Sequence, residues 1–325
     1  MSDPAASPRA SAATPPSVAV LLPCYNEEVT VAKVVSDFRA ALPKAVIYVF
    51  DNNSTDRTAE LARKAGAIVV KSPRQGKGHV VRHMFETVDA DLLVMADGDD
   101  TYPAEAAPDL LRALTDSGAD MVVGMRLSRF DDRAFRRLHE FGNKLISGTI
   151  SLLFRARITD VLSGYRVFTR EFVRSLYLRS GGFAVETELT LQALVNDSVI
   201  REVPVHYRSR PEGSVSKLNT FADGLHIFRA IFLIFKDYKP LAFFSLLAVV
   251  SFVLGLVAGW FPVRDYLQTR YVSRVPLAML AAALEILAVL FLGIGLILHA
   301  VTRFHVETQS AAKRLLRALE RHSPK

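Results

Sequence analysis

From residue 18 the chain alternates short apolar runs with segments whose apolar residues recur every three or four positions. The runs at 18–23, 45–50, 67–71, 91–96 and 119–124 have the length of buried strands, whereas 27–42 spaces Val31, Val34, Val35 and Phe38 as one face of a helix. Further helices are expected at 56–65, 77–88 and 103–115. This rhythm predicts an α/β domain whose mainly parallel sheet is covered on both faces. Such sheets bind ligands beyond the carboxyl ends of their strands. Polar clusters fall there three times: Cys24-Tyr25-Asn26-Glu27, Asp51-Asn52-Asn53-Ser54 and Asp97-Gly98-Asp99-Asp100. Three clusters in register mark one site.

The pattern changes near the C-terminus. Residues 240–263 and 275–302 are apolar on every face, and a helix of that length reaches the roughly 30 Å of a bilayer core. They predict a transmembrane hairpin. Its one internal charge, Glu285, reads as a helix–helix hydrogen bond in a homo-oligomer, with a pathway role as the alternative. Ahead of the hairpin, Phe221, Leu225, Phe228, Ile231, Phe232 and Phe235 share one side of a helix expected to lie in the membrane interface. Residues 1–17, rich in Ala, Ser and Pro, read as a disordered leader and not as a signal peptide. Arg229, Lys236 and Lys239 before the first span, and Arg303, Lys313, Arg314, Arg317 and Arg321 after the second, outnumber Arg264, Arg270 and Arg274 between them. Positive-inside counting then puts both termini and the large domain in the cytosol, in a multi-pass protein of the cytoplasmic membrane.

Charge and cysteine use narrow the chemistry. The net charge of +7 suits anionic lipid and phosphorylated ligands, and no nucleic-acid-binding module accompanies it. Cys24, the single cysteine, forms no intrachain disulfide and reads as a small buried residue at a strand end.

Pro23-Cys24-Tyr25-Asn26-Glu27-Glu28, Asp51-Asn52-Asn53-Ser54-Thr55-Asp56 and Asp97-Gly98-Asp99 together resemble the nucleotide-sugar half of family 2 glycosyltransferases, which have the GT-A fold. The segment Arg210-Pro211-Glu212-Gly213-Ser214-Val215-Ser216-Lys217 is similar to the polyprenyl-phosphate branch, which includes dolichyl-phosphate mannose synthase and bactoprenol glucosyltransferases. The resemblance implies a GT-A domain at 18–217, followed by an interfacial helix at 218–239, the hairpin at 240–302 and a basic tail at 303–325. It implies inverting transfer from a nucleoside diphosphate sugar to a polyprenyl phosphate; the alternatives are transfer to a different lipid or glycan hydroxyl, and a catalytically idle membrane scaffold that retains the fold.

Each residue type suits that chemistry. Asp97 and Asp99, two apart across Gly98, present hard oxygens to Mg²⁺ or Mn²⁺, which neutralises a leaving diphosphate. Asp100 either faces away or caps the helix beyond Pro103. By resemblance Asp51 contacts the base or ribose, and Glu27 lines the nucleoside pocket with the backbone of Pro23 and Tyr25. Helix capping is the competing reading for Glu27 and the favoured one for Asp56. Lys77 opens a helix after Arg74-Gln75-Gly76 and reads as a diphosphate contact, though the spacing is not that of a P-loop. In Thr159-Asp160-Val161-Leu162-Ser163-Gly164-Tyr165-Arg166, the resemblance puts Asp160 near the reacting centre and Arg166 near phosphate. Asp160 is a general base or an orienting group, because an acceptor phosphate is already largely ionised at neutral pH. Glu186 or Glu188 contacts sugar, or simply matches the dipole of its helix. Arg210, Ser216 and Lys217 are read as the acceptor-phosphate site.

Overall fold

The computed structural model describes residues 16–127, 133–178, 185–211, 232–233 and 235–322. It divides into two compact units: one holds Met1–Phe130, Leu162–Leu189 and Val199–Val215, the other Asp131–Val161, Thr190–Ser198 and Ser216–Lys325.

The first unit is built on strands β1 (Val18–Cys24), β2 (Val46–Asp51), β3 (Ile68–Lys71), β4 (Leu92–Met95), β5 (Met121–Leu127), β6 (Arg166–Thr169) and β7 (Ile200–His206), in the spatial order β3-β2-β1-β4-β6-β5-β7. All pairings are parallel except those of β6, which runs antiparallel to both β4 and β5. The five strands expected from the apolar runs are β1 to β5; the pattern carried no expectation for β6 and β7. Val20, Leu22 and Cys24 of β1 pack into one core with Val31, Val34, Val35 and Phe38 of α1 (Val31–Ala41). The alternate residues Ala19 and Leu21 are equally buried, so both faces of the sheet are covered.

Helices α2 (Thr58–Lys64), α3 (Lys77–Thr87) and α4 (Ala107–Ser117) follow β2, β3 and β4. The helix expected from residue 27 begins at Val31. The N–H of Glu27 instead donates to Thr58 Oγ1 at 2.8 Å and that of Glu28 to Asp56 Oδ2 at 3.1 Å. These donors hold the β1 loop against the β2 loop. The helix expected from Pro103 starts with one 3₁₀ turn, Ala104–Ala106, before α4.

The second unit contains α5 (Arg133–Phe154) and two long helices, separate from the short α6 (Arg170–Arg174) of the first unit and from α7 (Val185–Val195), which runs across the division. Helices α8 (Pro240–Thr269) and α9 (Val275–His322) each contain a 30-residue stretch long and apolar enough to cross a membrane. They pack on one another, with the small residues Ala248, Ser251 and Gly255 of α8 and Ala281 and Ala288 of α9 buried and Gly255 set against Glu285. Between them Arg270 takes a left-handed conformation at φ 60°, and Asp265 accepts from Ser273 Oγ at 2.7 Å and pairs with Arg274. Phe232 and Phe235 stack edge-on against Phe243 at the start of α8. The rest of the expected interfacial segment, most of the leader, and Ser216 and Lys217 lie outside the described residues.

Candidate active site

The carboxyl ends of β1, β2 and β4 lie side by side, with Cys24 opposite Asp51 and Leu21 opposite Met95. The three polar clusters therefore converge. Their loops are knitted by side chains: Asn26, at φ 52°, takes the N–H of Thr55 on Oδ1 at 2.8 Å and donates its own N–H to Ser54 Oγ. Asp51 is buried and accepts from Ser54 N at 3.2 Å. Asp56 binds Thr58 N and Oγ1 with one oxygen and Glu28 N with the other. Partial burial would raise its pKa, but these bonds outweigh it and hold the carboxyl below the usual range. Asp56 is thus a structural carboxylate.

The acidic loop after β4 is fitted to its neighbours. Thr30 Oγ1 donates to the carbonyl of Gly98 at 2.7 Å. A Cβ on Gly98 would run into Cys24 Sγ, and a Cβ on Gly164 would lie 2.7 Å from Asp97 Oδ2. Gly164 is held there by its N–H, which donates to the hydroxyl of Tyr102 at 2.9 Å. Both glycines make room for the Asp97-Gly98-Asp99 turn.

Each acid of the loop meets a base. Lys77 Nζ lies 2.5 Å from Asp97 and 2.6 Å from Glu186 in the first turn of α7. Burial alone would lower the lysine pKa, but the two carboxylates raise it well above its ordinary value, so Lys77 stays charged. Asp99 is buried; its Oδ1 accepts from Thr101 N and Oγ1, and its Oδ2 pairs with Arg210 Nη2 at 2.6 Å. Asp100, also buried, turns instead to Lys33 at 2.8 Å and Arg208 at 3.8 Å. Asn52 positions Lys77: its Oδ1 takes the N–H of Gly76, and its Nδ2 donates to the carbonyls of Ser72 and Arg74.

Asp97, Asp99, Lys77, Glu186 and Arg210 thus belong to one constellation in the first unit. Arg166 has a different setting: it is fully buried on β6, where its Nε donates to Ser163 O at 2.9 Å and its Nη1 to Met121 Sδ. Asp160 belongs to the second unit, where it accepts from Asn143 Nδ2 at 3.3 Å. Thr101 and Tyr102 occupy the stretch after the carboxylate pair where the resemblance puts a further polar ligand; here Thr101 binds Asp99 and Tyr102 binds Gly164 N. Thr30 and Asn52 escaped sequence reading as site residues; Asn52 sat inside a quoted cluster, whereas nothing local distinguished Thr30.

Among the described residues no group of three His, Cys, Asp or Glu converges as a ready-made metal cage. The donor set nevertheless fits a divalent ion of the Mg²⁺ or Mn²⁺ kind, which needs one or two carboxylates and completes its shell with phosphate and water. Asp97 and Asp99 would hold it.

Comparison with known proteins gives this geometry its setting. Residues 19–177 match the model of glycosyl transferase family 2. The chain is 34% identical over 303 residues to glycosyltransferase AglJ of Haloferax volcanii, covering 93% of this chain and 99% of that protein. It is 33% identical over 215 residues to a dolichyl-phosphate hexose transferase of the same organism, covering 66% of this chain and 92% of the relative. Glucosyl-3-phosphoglycerate synthase of Mycobacterium tuberculosis, solved with Mn²⁺, UDP and glucosyl-3-phosphoglycerate, shares the fold at 24% identity and a TM-score of 0.55, over 68% of this chain and 79% of that one. The sheet is therefore of the GT-A-like kind, and near full-length similarity to AglJ shows that the chain belongs to glycosyl transferase family 2.

Proposed function

We propose that the chain transfers a glycosyl group, with inversion, from a nucleoside diphosphate sugar to a polyprenyl phosphate at the cytosolic face of a membrane. The observation that carries this reading is the pairing of Asp97 and Asp99 with Lys77 and Arg210 at the strand ends, which gathers acids for a divalent ion and bases for phosphate in one constellation. The relative named for dolichyl-phosphate hexose transfer and the two long apolar helices support the lipid acceptor.

In this mechanism an oxygen of the acceptor phosphate attacks the anomeric carbon opposite the leaving group. The bond from that carbon to the diphosphate breaks, and its electron pair departs with the nucleoside diphosphate. A bound Mg²⁺ or Mn²⁺ supplies Lewis-acid neutralisation of the leaving diphosphate. Asp51 and Glu27, with the backbone of Pro23 and Tyr25, hold the nucleoside. Lys77 stabilises the leaving group, Glu186 contacts the sugar, and Arg210 with Ser216 and Lys217 orients the acceptor phosphate. Asp160 serves orientation, since the acceptor oxygen carries its own charge.

The test is label transfer from a panel of nucleotide sugars into undecaprenyl phosphate, using membranes of the expressed protein with and without Mn²⁺. The expected outcome is metal-dependent label in the polyprenyl lipid that falls at least 10²-fold in Asp99→Asn, on the order of an electrostatic group lost from a transition state. Label appearing only in a neutral-hydroxyl acceptor would replace the polyprenyl reading.

A further inference from the structure

The two cations nearest the paired carboxylates are bonded to the same oxygens a metal would use. Asp99 has one oxygen engaged by Thr101 and the other by Arg210, and Asp97 Oδ1 is engaged by Lys77 while its Oδ2 lies against Gly164. A divalent ion and an ammonium or guanidinium group repel at such range, so they cannot share these oxygens cheaply. Asp100 offers no relief, being paired to Lys33 and Arg208. We infer that Lys77 and Arg210 are built-in counter-cations of the site, released together when metal binds and re-satisfied first by oxygens of the diphosphate, Arg210 passing to the acceptor phosphate when that arrives, so that the divalent ion and the diphosphate load as a coupled pair. This rests on the reading of Asp97 and Asp99 as metal-holding residues.

The geometry shows why release is affordable only with a diphosphate present. Lys77 is largely buried between Asp97 and Glu186, and a buried charge stripped of a partner is costly. Lys77 is the first residue of α3, and the loop that carries it is fixed by the Gly76 N–H donating to Asn52 Oδ1. Arg210 hangs two residues beyond Arg208, whose N–H donates to Thr101 O at 2.9 Å and whose guanidinium pairs with Glu105. That anchor keeps Arg210 beside Asp99, within reach of a phosphate brought to that carboxylate. Metal alone must break two ion pairs without replacement; metal with a diphosphate exchanges them.

Mn²⁺ binding to the full chain in detergent micelles, followed by the electron paramagnetic resonance of the free ion, tests the coupling without turnover. The wild type is expected to bind Mn²⁺ weakly alone and about 5- to 150-fold more tightly with saturating UDP or GDP, the span of ordinary coupling between sites; uridine or guanosine should give no enhancement. Arg210→Gln, at a partly exposed side chain, should tighten Mn²⁺ alone and shrink the enhancement, and Lys77→Met should do the same. Arg210→Lys, which keeps the charge, should retain the wild-type pattern. Unchanged or weaker Mn²⁺ binding in both neutral variants, with the enhancement intact, overturns the counter-cation role but leaves the metal reading standing. If the wild type binds no Mn²⁺ with either nucleotide, both fall.

Discussion

Two glycines and one cysteine set the shape of the acidic turn. Gly98 lies against Cys24 Sγ, and a methyl there meets a sulfur that is itself buried and has no room to retreat. Gly98→Ala should destabilise the protein by about 1–3 kcal/mol, the usual range for overpacking. Cys24→Ala in the same chain should recover most of the loss, because the added methyl then fills the space of the removed sulfur. Denaturant unfolding of the two single variants and the double variant measures this as a coupling, and strictly additive losses would rule the contact out as the cause. At this scale the sequence was partly legible. The Asp97 and Asp99 pair stood out from its spacing, whereas the burial of Arg166 in β6 did not show in its motif. A residue's type shows what it can bind; whether it faces the ligand depends on which strands flank it.

The elements repeat the lesson in longer form. Strands β1 to β5 were legible because they are continuous apolar runs, whereas β6 is four residues with an arginine at its head and pairs antiparallel between β4 and β5. No periodicity marks such a strand. The long apolar helices were the plainest signal, and their contact adds a detail no pattern shows: Gly255 of α8 faces Glu285 of α9, so closely that a Cβ would sit 2.5 Å from the carboxyl oxygen. Glycine there serves close approach and gives the carboxyl its space. Gly255→Leu should push the helices apart and lower thermal stability in detergent. Shortening the side chain across the contact, as Glu285→Ala, should restore much of it, and the same leucine at Gly293, which has open space around it, should be tolerated. Equal losses at both glycines would show that helix propensity is responsible instead.

For the whole molecule, the sequence predicts a sidedness that labelling can test. Cys24 is buried, and burial, followed by the nearby Glu27, Asp97, Asp51 and Asp99 carboxylates, pushes its thiol pKa well above the ordinary range. The native cysteine should therefore be silent toward a membrane-impermeant maleimide. In intact cells Tyr271→Cys, at the exposed turn between α8 and α9, should be labelled, while Glu86→Cys on the first unit should label only after permeabilisation. The reverse pattern would invert the topology. Taken by itself, the sequence determined the α/β class, the positions of the strand-end clusters, the carboxylate pair and the two apolar spans. Each of these is written in periodicity, run length or local spacing, and those survive without knowledge of what packs where. Only the tertiary structure decided that Lys77 joins Asp97 to Glu186, that Arg210 engages Asp99, that Asn52 holds the loop before α3, and that Arg166 is interior. These are meetings of side chains far apart along the chain. Their geometry follows from strand order and the insertion of an antiparallel β6, which no local pattern of residues encodes.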